Sequence, residues 1–253
     1  MNHNTEKLKG LIEEARRIVF FGGAGVSTES GIPDFRSEKG LYKAKQEYGR
    51  SPEEMISHSF FESDPETFFR YYKENLIYRD ARPNAAHIGL AGIECRGRDI
   101  SVVTQNIDGL HQLAGSKVVY ELHGSVLKNY CVECGRRYDL DYILDPANCA
   151  KKGSDTEFVP WCAACGGLVR PDVVLYEEGL DGATVSAATD AIKRADLLIV
   201  GGTSLVVYPA AGFLNYYRGG SLVLINMSAT SVDSRANLVI RRPIGEVFTE
   251  LGS

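Results

Sequence analysis

A glycine-rich turn follows the first apolar run of the chain. Residues 18–21 form a short run of β-branched and aromatic side chains, as expected of a buried strand. Gly22, Gly23 and Gly25 come directly after this run. Glycines lack the Cβ atoms that keep a ligand from the backbone, so the amide N–H groups here can approach a diphosphate closely. An ordinary tight turn has the same pattern, and the turn alone leaves both interpretations open.

Polar side chains crowd the segment after this turn, where neither helix nor strand periodicity is present. They alternate with glycine, proline and one phenylalanine, and they are Ser27, Thr28, Ser30, Asp34 and Arg36. Loops that follow buried strands commonly carry binding and catalytic groups. The segment is therefore a candidate binding loop.

Four of the six cysteines form two Cys-x-x-Cys pairs, each followed by glycine: Cys131, Cys134, Cys162 and Cys165. In a chain without an evident secretion signal this spacing favours a metal site over disulfides. Four thiolates fill the tetrahedral shell of Zn²⁺ and leave no open position, which predicts a structural zinc. Cys95 and Cys149 are interpreted as ordinary reduced residues.

His123 is the histidine most suited to chemistry. It ends an apolar run at residues 118–122 and precedes Gly124. Its imidazole titrates near neutral pH and is suited to general-base catalysis, although a histidine at a strand end can also be structural. His111, just beyond Asp108, is a candidate for supporting the site, whereas the remaining histidines have no evident role.

Apolar runs alternate with helix-periodic segments along the chain. Strands are predicted at 18–21, 100–103, 118–122, 173–176, 197–200 and 222–225, and helices at 5–17, 83–96, 183–194 and 209–217. This alternation predicts an α/β fold, a Rossmann-like parallel sheet with helices on both faces.

The predicted sheet gathers four clusters at one edge. Residues 22–25, 105–108 and 201–204, together with Asn226, each follow a strand. Ligands of open parallel sheets bind beyond the carboxyl ends of the strands, so these clusters predict a dinucleotide site. The acidic residue that dehydrogenases place about 20 residues after the glycines is not evident.

The chain divides into two predicted domains. A Rossmann-like domain comprises residues 1–125 and 170–253, and a zinc-binding module comprises 126–169. Part of 37–80 completes the small domain: 37–63 is interpreted as a mobile loop with short helical pieces, and 65–78 as an aromatic helix that packs on the core.

Composition is that of a soluble globular protein: 253 residues, 44% hydrophobic and 24% charged. The net charge of −5 argues mildly against nucleic-acid binding. No run of about 18 apolar residues and no signal-peptide pattern is evident. We therefore expect a cytoplasmic protein with no stable nucleic-acid or membrane partner.

Several motifs resemble those of the sirtuins, the NAD-dependent protein deacylases. They are Gly-Ala-Gly-Val-Ser and Ser-Gly-Ile-Pro-Asp-Phe-Arg within 23–36, Thr-Gln-Asn-Ile-Asp-Gly-Leu-His at 104–111, Leu-His-Gly at 122–124, and Gly-Thr-Ser-Leu-Val-Val-Tyr-Pro at 202–209. The resemblance, of the bacterial type, implies an NAD-dependent protein-lysine deacetylase with NAD and Zn as cofactors. Acetyl would pass from acetyl-lysine of a protein or peptide to ADP-ribose, with release of nicotinamide and O-acetyl-ADP-ribose.

The resemblance also implies roles for single residues. His123 would be the general base, acting through the nicotinamide ribose, and Asn106 and Asp108 would position the ribose and the nicotinamide amide. Ile107 and Phe35 would border the nicotinamide pocket. The other implied cofactor-binding residues are Gly23, Ala24, Gly25, Thr28, Arg36, Gln105, Gly202, Thr203, Ser204, Asn226 and Ile244.

The implied peptide-binding residues are Val173, Val174 and Tyr176, the first two by strand addition. Many sirtuins have Phe-Gly-Glu where this chain has Tyr-Glu-Glu at 176–178, and the extra carboxylate of Glu177 suggests a preference for basic flanks. No Tyr-x-x-Arg is found, the pair that receives acidic acyl groups in some sirtuins. Its absence favours acetyl or another uncharged short acyl group over succinyl.

Two other functions compete with deacetylation. A mono-ADP-ribosyltransferase on the same scaffold would use NAD without acyl-lysine, and a zinc-stabilised module would sense NAD without turnover. The combination of His123, Asn106 and Asp108 with Val173 and Val174 favours deacylation.

Overall fold

The computed structural model describes residues 2–33, 45–149, 156–206 and 209–252. Its strands are β1 Arg17–Gly22, β2 Asp99–Thr104, β3 Val119–Glu121, β4 Gly124–Cys131, β5 Arg137–Asp139, β6 Val169–Val173, β7 Leu197–Gly201, β8 Ser221–Ile225 and β9 Leu238–Ile240. Six of them form a parallel sheet in the order β3-β2-β1-β7-β8-β9. The predicted parallel sheet is thus confirmed.

The α-helices are α1 His3–Glu14, α2 Pro52–Met55, α3 His58–Ser63, α4 Pro65–Asn75, α5 Ala85–Cys95, α6 Leu110–Leu113, α7 Leu140–Leu144, α8 Pro146–Cys149, α9 Gly182–Arg194 and α10 Ile244–Gly252. Short 3₁₀ helices span Ala24–Val26, Thr28–Ser30, Ala210–Tyr216 and Asp233–Arg235. Within the described ranges, no helix has the length and apolar character needed to cross a membrane.

Strand β1 lies inside the sheet and is buried on both faces. Ile18 and Phe20 belong to a core that α1, α5 and α10 cover, whereas Val19 and Phe21 belong to a core on the other face, under α9 and the 210–216 helix. Successive side chains of a strand point to opposite faces, so one short apolar run supplies both cores. The prediction of helices on both faces is also confirmed.

A second, antiparallel sheet has the order β5-β4-β6. It shares a third core with α2, α3 and α4, to which α4 contributes Phe68, Phe69 and Tyr72, all fully buried. The aromatic helix therefore packs on a core, as predicted, and that core belongs to the smaller sheet. The predicted domain boundaries stay a prediction.

Some predicted elements were wrong in extent or type. The strand expected at 173–176 is β6, which ends at Val173, because the following residues leave the sheet and the Tyr176 amide bonds to Ile56 instead. The helix expected at 5–17 ends at Glu14, since Arg17 already pairs with Asp99 in the sheet. The helix expected at 209–217 is a 3₁₀ helix, and β9 and α10 were not predicted.

Candidate active site and metal centre

A cavity of about 570 Å³ opens at the carboxyl ends of β1, β2 and β7. Parallel strands present their carboxyl ends at one sheet edge, which is why the three polar clusters meet here. Most of the predicted site residues line it: Gly23, Ala24, Gln105, Asn106, Ile107, Asp108, His123, Val173, Val174, Tyr176, Gly202, Thr203 and Ser204.

The two glycine-containing loops above β1 and β7 pack directly on each other. The Gly25 amide donates to the Gly202 carbonyl at 2.8 Å. A Cβ added to Gly25 would lie 2.8 Å from the Gly202 Cα, and one added to Gly202, whose φ is +58°, would lie 2.4 Å from the Val26 nitrogen. These glycines are thus required for the packing of the two loops, whether or not a diphosphate approaches the backbone.

Ser27 joins the turn to the loop after β2. Its hydroxyl donates to Asp108 Oδ2 at 2.6 Å and accepts from Asn106 Nδ2 at 3.0 Å. Ser27 and Asn106 are buried, while the other Asp108 oxygen accepts from the Leu110 amide at 2.9 Å. A hydroxyl that donates and accepts at once fixes both neighbouring side chains.

Sequence reasoning did not single out Ser27. Its position in the polar segment after the glycines was visible, but the direction of its hydroxyl depends on the packing of β1 against β2. Gln105 Nε2 makes a similar link across the sheet edge, donating to Thr203 Oγ1 at 3.1 Å.

His123 follows β3 and precedes β4. Its Nδ1 lies 2.9 Å from the Gln105 carbonyl oxygen. Because a carbonyl only accepts, Nδ1 carries the proton of the neutral ring and Nε2 keeps its lone pair. Burial lowers the pKa of His123, and the bond to Gln105 opposes this in part. The ring is therefore a neutral base at pH 7.

The segment after β6 connects the two sheets across the cavity. The Val174 amide donates to the His123 carbonyl at 2.9 Å. The Tyr176 amide donates to the Ile56 carbonyl at 3.1 Å, and the His58 amide donates to the Tyr176 carbonyl at 3.0 Å. The predicted peptide-binding residues thus line the cavity between the sheet edge and the start of α3.

Glu177 and Glu178 are both engaged within the protein. Glu177 has a left-handed backbone, with φ of +77°, and its carboxylate accepts from the amide and hydroxyl of Ser59 at 2.9 Å each. A left-handed residue at this position accords with the glycine that many sirtuins have there. Glu178 pairs with Arg170 through two bonds and also contacts His58 Nδ1.

Four of the predicted cofactor residues do not line the cavity, and their roles stay predictions. Gly25, Thr28, Asn226 and Ile244 are not among the described residues that line the cavity. Ile244 is buried in a core, and the Asn226 side chain donates to the Ser228 carbonyl at 3.0 Å. The predicted contributions of Asp34, Phe35, Arg36, Val207 and Tyr208 lie outside the described residues.

Two buried histidines pack behind Asp108. The rings of His87 and His111 are 4.7 Å apart, and within the described structure neither His111 nitrogen has a hydrogen-bond partner. Burial lowers the pKa of His87 to about 4 and that of His111 to about 3. His87 Nδ1 accepts from the Asn84 amide in a capping box at the start of α5. Both histidines are therefore neutral supports beneath the site.

The four predicted zinc ligands converge. Their Sγ atoms all lie within 4.8 Å of one another, with Cys131 and Cys165 at 3.5 Å and Cys134 and Cys162 at 3.6 Å. Tetrahedral Zn–S bonds of about 2.3 Å place sulfurs about 3.8 Å apart, so the donor set fits Zn²⁺. The glycine after each pair, Gly135 and Gly166, has φ near +70°, as the predicted tight knuckles require.

These features define a nucleotide-binding α/β protein with a four-cysteine metal centre. The Sir2 family model matches residues 23–209. The NAD-dependent protein deacetylase of Clostridium perfringens is 58% identical over 249 residues, covering 98% of each chain. The chain belongs to the Sir2 family, which confirms the resemblance seen in its motifs.

Solved structures give the same assignment. The chain is similar to a Sir2 structure with p53 peptide and NAD⁺, at 38% identity and a TM-score of 0.83 over 99% of this chain and 97% of that one. It is also similar to a Sir2 structure with a deacetylated p53 peptide and 3′-O-acetyl ADP ribose, at 39% identity and a TM-score of 0.85 over 98% and 97%. The likeness extends over both sheets.

Proposed function

We infer that this protein is an NAD-dependent protein-lysine deacetylase, which transfers acetyl from acetyl-lysine to ADP-ribose and releases nicotinamide and O-acetyl-ADP-ribose. The observation that carries the inference is the place of His123, a neutral base in the wall of the cavity that Gly23, Asn106 and Asp108 also line. The deacetylase relatives and the Sir2 complexes with NAD⁺ and peptide support it.

The cavity suits NAD in size and in its donors. Its volume of about 570 Å³ lies within the range of cofactor sites. Among residues 23–27, the Ala24 amide has no backbone acceptor within the described structure, so it can donate to a diphosphate. We propose that Gly23, Ala24, Gln105, Thr203 and Ser204 hold the cofactor. When bound, NAD supplies an electrophilic ribose carbon with nicotinamide as its leaving group.

The residues of the chain orient the ribose and the nicotinamide amide, and they move one proton. Ser27 fixes Asn106 and Asp108, which we propose position the ribose and the nicotinamide amide. His123 accepts a proton at Nε2 from a ribose hydroxyl, while its Nδ1–H stays bonded to Gln105. The Gln105 carbonyl stabilises the charged ring that results.

We propose that the acetylated peptide lies along Val173, Val174 and Tyr176, with strand addition at the first two. The acyl group is acetyl or another uncharged short one. The acidic side chains that line the cavity are Glu74, Asp108, Glu177 and Glu178, and the described lining includes no lysine or arginine. An acidic acyl group would meet the like charges of Glu74, Asp108 and Glu177 there, whereas Glu178 is already paired with Arg170. The suggested preference for basic flanks stays a prediction.

Zinc has a structural part in this proposal. Four cysteine ligands leave no open position for substrate, so the metal stabilises the small sheet and takes no part in the reaction. Acetylated proteins or peptides are the proposed partners. The cytoplasmic location and the absence of nucleic-acid or membrane partners stay predictions.

Product analysis tests the function against its two alternatives. An acetyl-lysine peptide is incubated with the protein, with and without NAD, and all products are measured by mass spectrometry. We expect NAD-dependent loss of acetyl and formation of O-acetyl-ADP-ribose. A peptide that gains ADP-ribose would favour the transferase, and binding of NAD without any product would favour the sensor.

A further inference from the structure

The carboxylate of Glu29 lies at the N-terminal end of α10, the last helix. The Gly245 amide donates to its Oε2 at 2.7 Å, although 216 residues separate the two in the sequence. Amides of the first helical turn lack intrahelical acceptors and carry the positive end of the helix dipole. A carboxylate at this place therefore makes a favourable contact.

A side chain at position 245 would displace this carboxylate. A Cβ added there would lie 2.6 Å from Glu29 Oε2 and 2.8 Å from its Cδ. Glycine is a weak helix former, so its presence in the first turn of α10 gains nothing for the helix itself. What the missing side chain provides is room for the carboxylate of Glu29.

Glu29 belongs to the same folded loop as Ser27. The Ser27 carbonyl accepts from the amides of Ser30 at 3.0 Å and Ile32 at 3.2 Å, so residues 27–32 form one hydrogen-bonded unit. A displacement of Glu29 would therefore move Ser27, whose hydroxyl holds Asp108 and Asn106.

A second helix holds the loop from another side. Asn84, the N-cap of α5, donates to the Val26 carbonyl at 2.7 Å and to Ser30 Oγ at 2.9 Å. Helices α5 and α10 pack closely, since a Cβ on Gly89 would lie 2.5 Å from Phe248 Cδ1. The loop is thus fixed by two helices that are themselves in contact.

We propose that Glu29 is a positioning residue, which fastens the cofactor loop to the C-terminal helix and so sets the affinity for NAD. The inference rests on the proposed function for the identity of the ligand. Glu29 itself is exposed and is not among the described residues that line the cavity. It acts by keeping the loop in the arrangement that binds, because apparent affinity falls with the fraction of protein in that arrangement.

Calorimetric titration with NAD tests the proposal. We expect Glu29→Ala to weaken NAD binding about two- to fivefold, the range of one exposed charge–dipole contact, and to raise the KM for NAD more than it lowers kcat. Glu29→Gln, whose amide oxygen can still accept, should recover part of the affinity. The matched control is Glu246→Ala, an exposed carboxylate in the same helical turn that contacts Arg242, and it should bind NAD as the wild type does.

Gly245→Ala provides an independent arm. It should weaken NAD binding by displacing the carboxylate, although alanine is the better helix former. In the Glu29→Ala background the same change should cost nothing further. Additive losses in the double variant would overturn the proposal.

Amide hydrogen exchange without NAD separates this proposal from the proposed function. Glu29→Ala should accelerate exchange in residues 24–31, and Glu246→Ala should not. Unchanged exchange and unchanged NAD affinity in Glu29→Ala would overturn the positioning role. A wild-type protein that binds no NAD would overturn the proposed function, and the exchange experiment would still decide the role of Glu29.

Discussion

A single backbone carbonyl decides which ring nitrogen of His123 carries the proton. Gln105 accepts from Nδ1 and thereby leaves Nε2 as the basic atom. The sequence indicated the histidine, because it ends an apolar run just before a glycine. It did not indicate the tautomer, which depends on the approach of the loop after β2 to the end of β3.

The pH dependence of catalysis follows from this residue. Burial lowers the pKa of His123 below its ordinary value of 6.5. The base is neutral and active above its pKa, so kcat/KM should fall on the acid side with a midpoint below 6.5, where protonation removes the lone pair. Rates over a pH series with acetyl-lysine peptide check this, and an acid limb centred above 6.5 would contradict it.

At the scale of elements, the two glycine-containing turns work as one unit. The sequence predicted both turns and their common sheet edge from the apolar runs before them. It did not predict that Gly25 and Gly202 would pack on each other. That contact depends on the neighbouring positions of β1 and β7, which lie far apart in the chain.

Gly202→Ala tests this packing. The added Cβ would lie 2.4 Å from the Val26 nitrogen at a φ of +58°, so both contact and conformation oppose it. We expect a loss of about 1–3 kcal/mol in the free energy of unfolding and weaker NAD binding. Gly10→Ala, where the added Cβ meets nothing within 4 Å, is the control and should be neutral or slightly stabilising. Equal stabilities of the two variants in urea would count against the packing role.

Low apolar content explains the misplacement of β6, although not the omission of the apolar β9 and α10. β6 includes Arg170, Pro171 and Asp172, so its sequence pattern did not predict a strand. In the structure it pairs with β4, and its last residue, Val173, lines the cavity. Its partners are set by the tertiary arrangement around the metal centre. The other five strands of the large sheet were placed to within about one or two residues, the usual disagreement over element boundaries.

The molecule as a whole depends on metal in its smaller part. The third core includes Cys131 and Cys162 beside the aromatic residues of α4. Removal of zinc by a chelator should therefore loosen the small sheet and α4, lower the thermal midpoint and abolish deacetylation. Metal analysis with circular dichroism checks this, with Cys134→Ser expected to lose zinc and Cys95→Ser to keep it. Full activity in a metal-free protein would exclude the structural role.

Acid stability should reflect the buried histidine pair. His87 and His111 have pKa values of about 4 and about 3 in the folded protein, against 6.5 when unfolded. Between these values the unfolded chain binds more protons, so stability should fall as the pH drops from 6.5 toward 3, by up to about 1.4 kcal/mol per pH unit for each histidine. Above 6.5 the pair is neutral in both states and contributes no slope.

His111→Phe removes the contribution of His111 to the pH dependence of stability, because phenylalanine does not titrate. Phenylalanine can also pack against Phe20, as the imidazole does. Urea unfolding at a series of pH values should give a shallower acid slope for this variant than for the wild type. The control His3→Gln, near the N-terminus, should keep the wild-type slope. Identical slopes in all three proteins would assign the acid sensitivity to other groups.

The family, the parallel sheet and the metal ligands were accessible from the sequence, because each depends on short patterns such as an apolar run or a Cys-x-x-Cys pair. The antiparallel sheet was not predicted. The contacts of Ser27, Glu29 and Glu177 were not, since each joins segments that only the assembled fold brings together. Side-chain direction and long-range pairing are what the structure adds.

The most direct test of the account is the rate of NAD-dependent deacetylation in His123→Ala compared with the wild type, measured by mass spectrometry of an acetyl-lysine peptide. We expect the wild type to form O-acetyl-ADP-ribose and the variant to lose activity by about 10²–10⁴-fold, the usual contribution of a general base. NAD binding, measured in parallel by calorimetry, should change far less. A variant that binds NAD and deacetylates at the wild-type rate would contradict the assignment of His123 as the base.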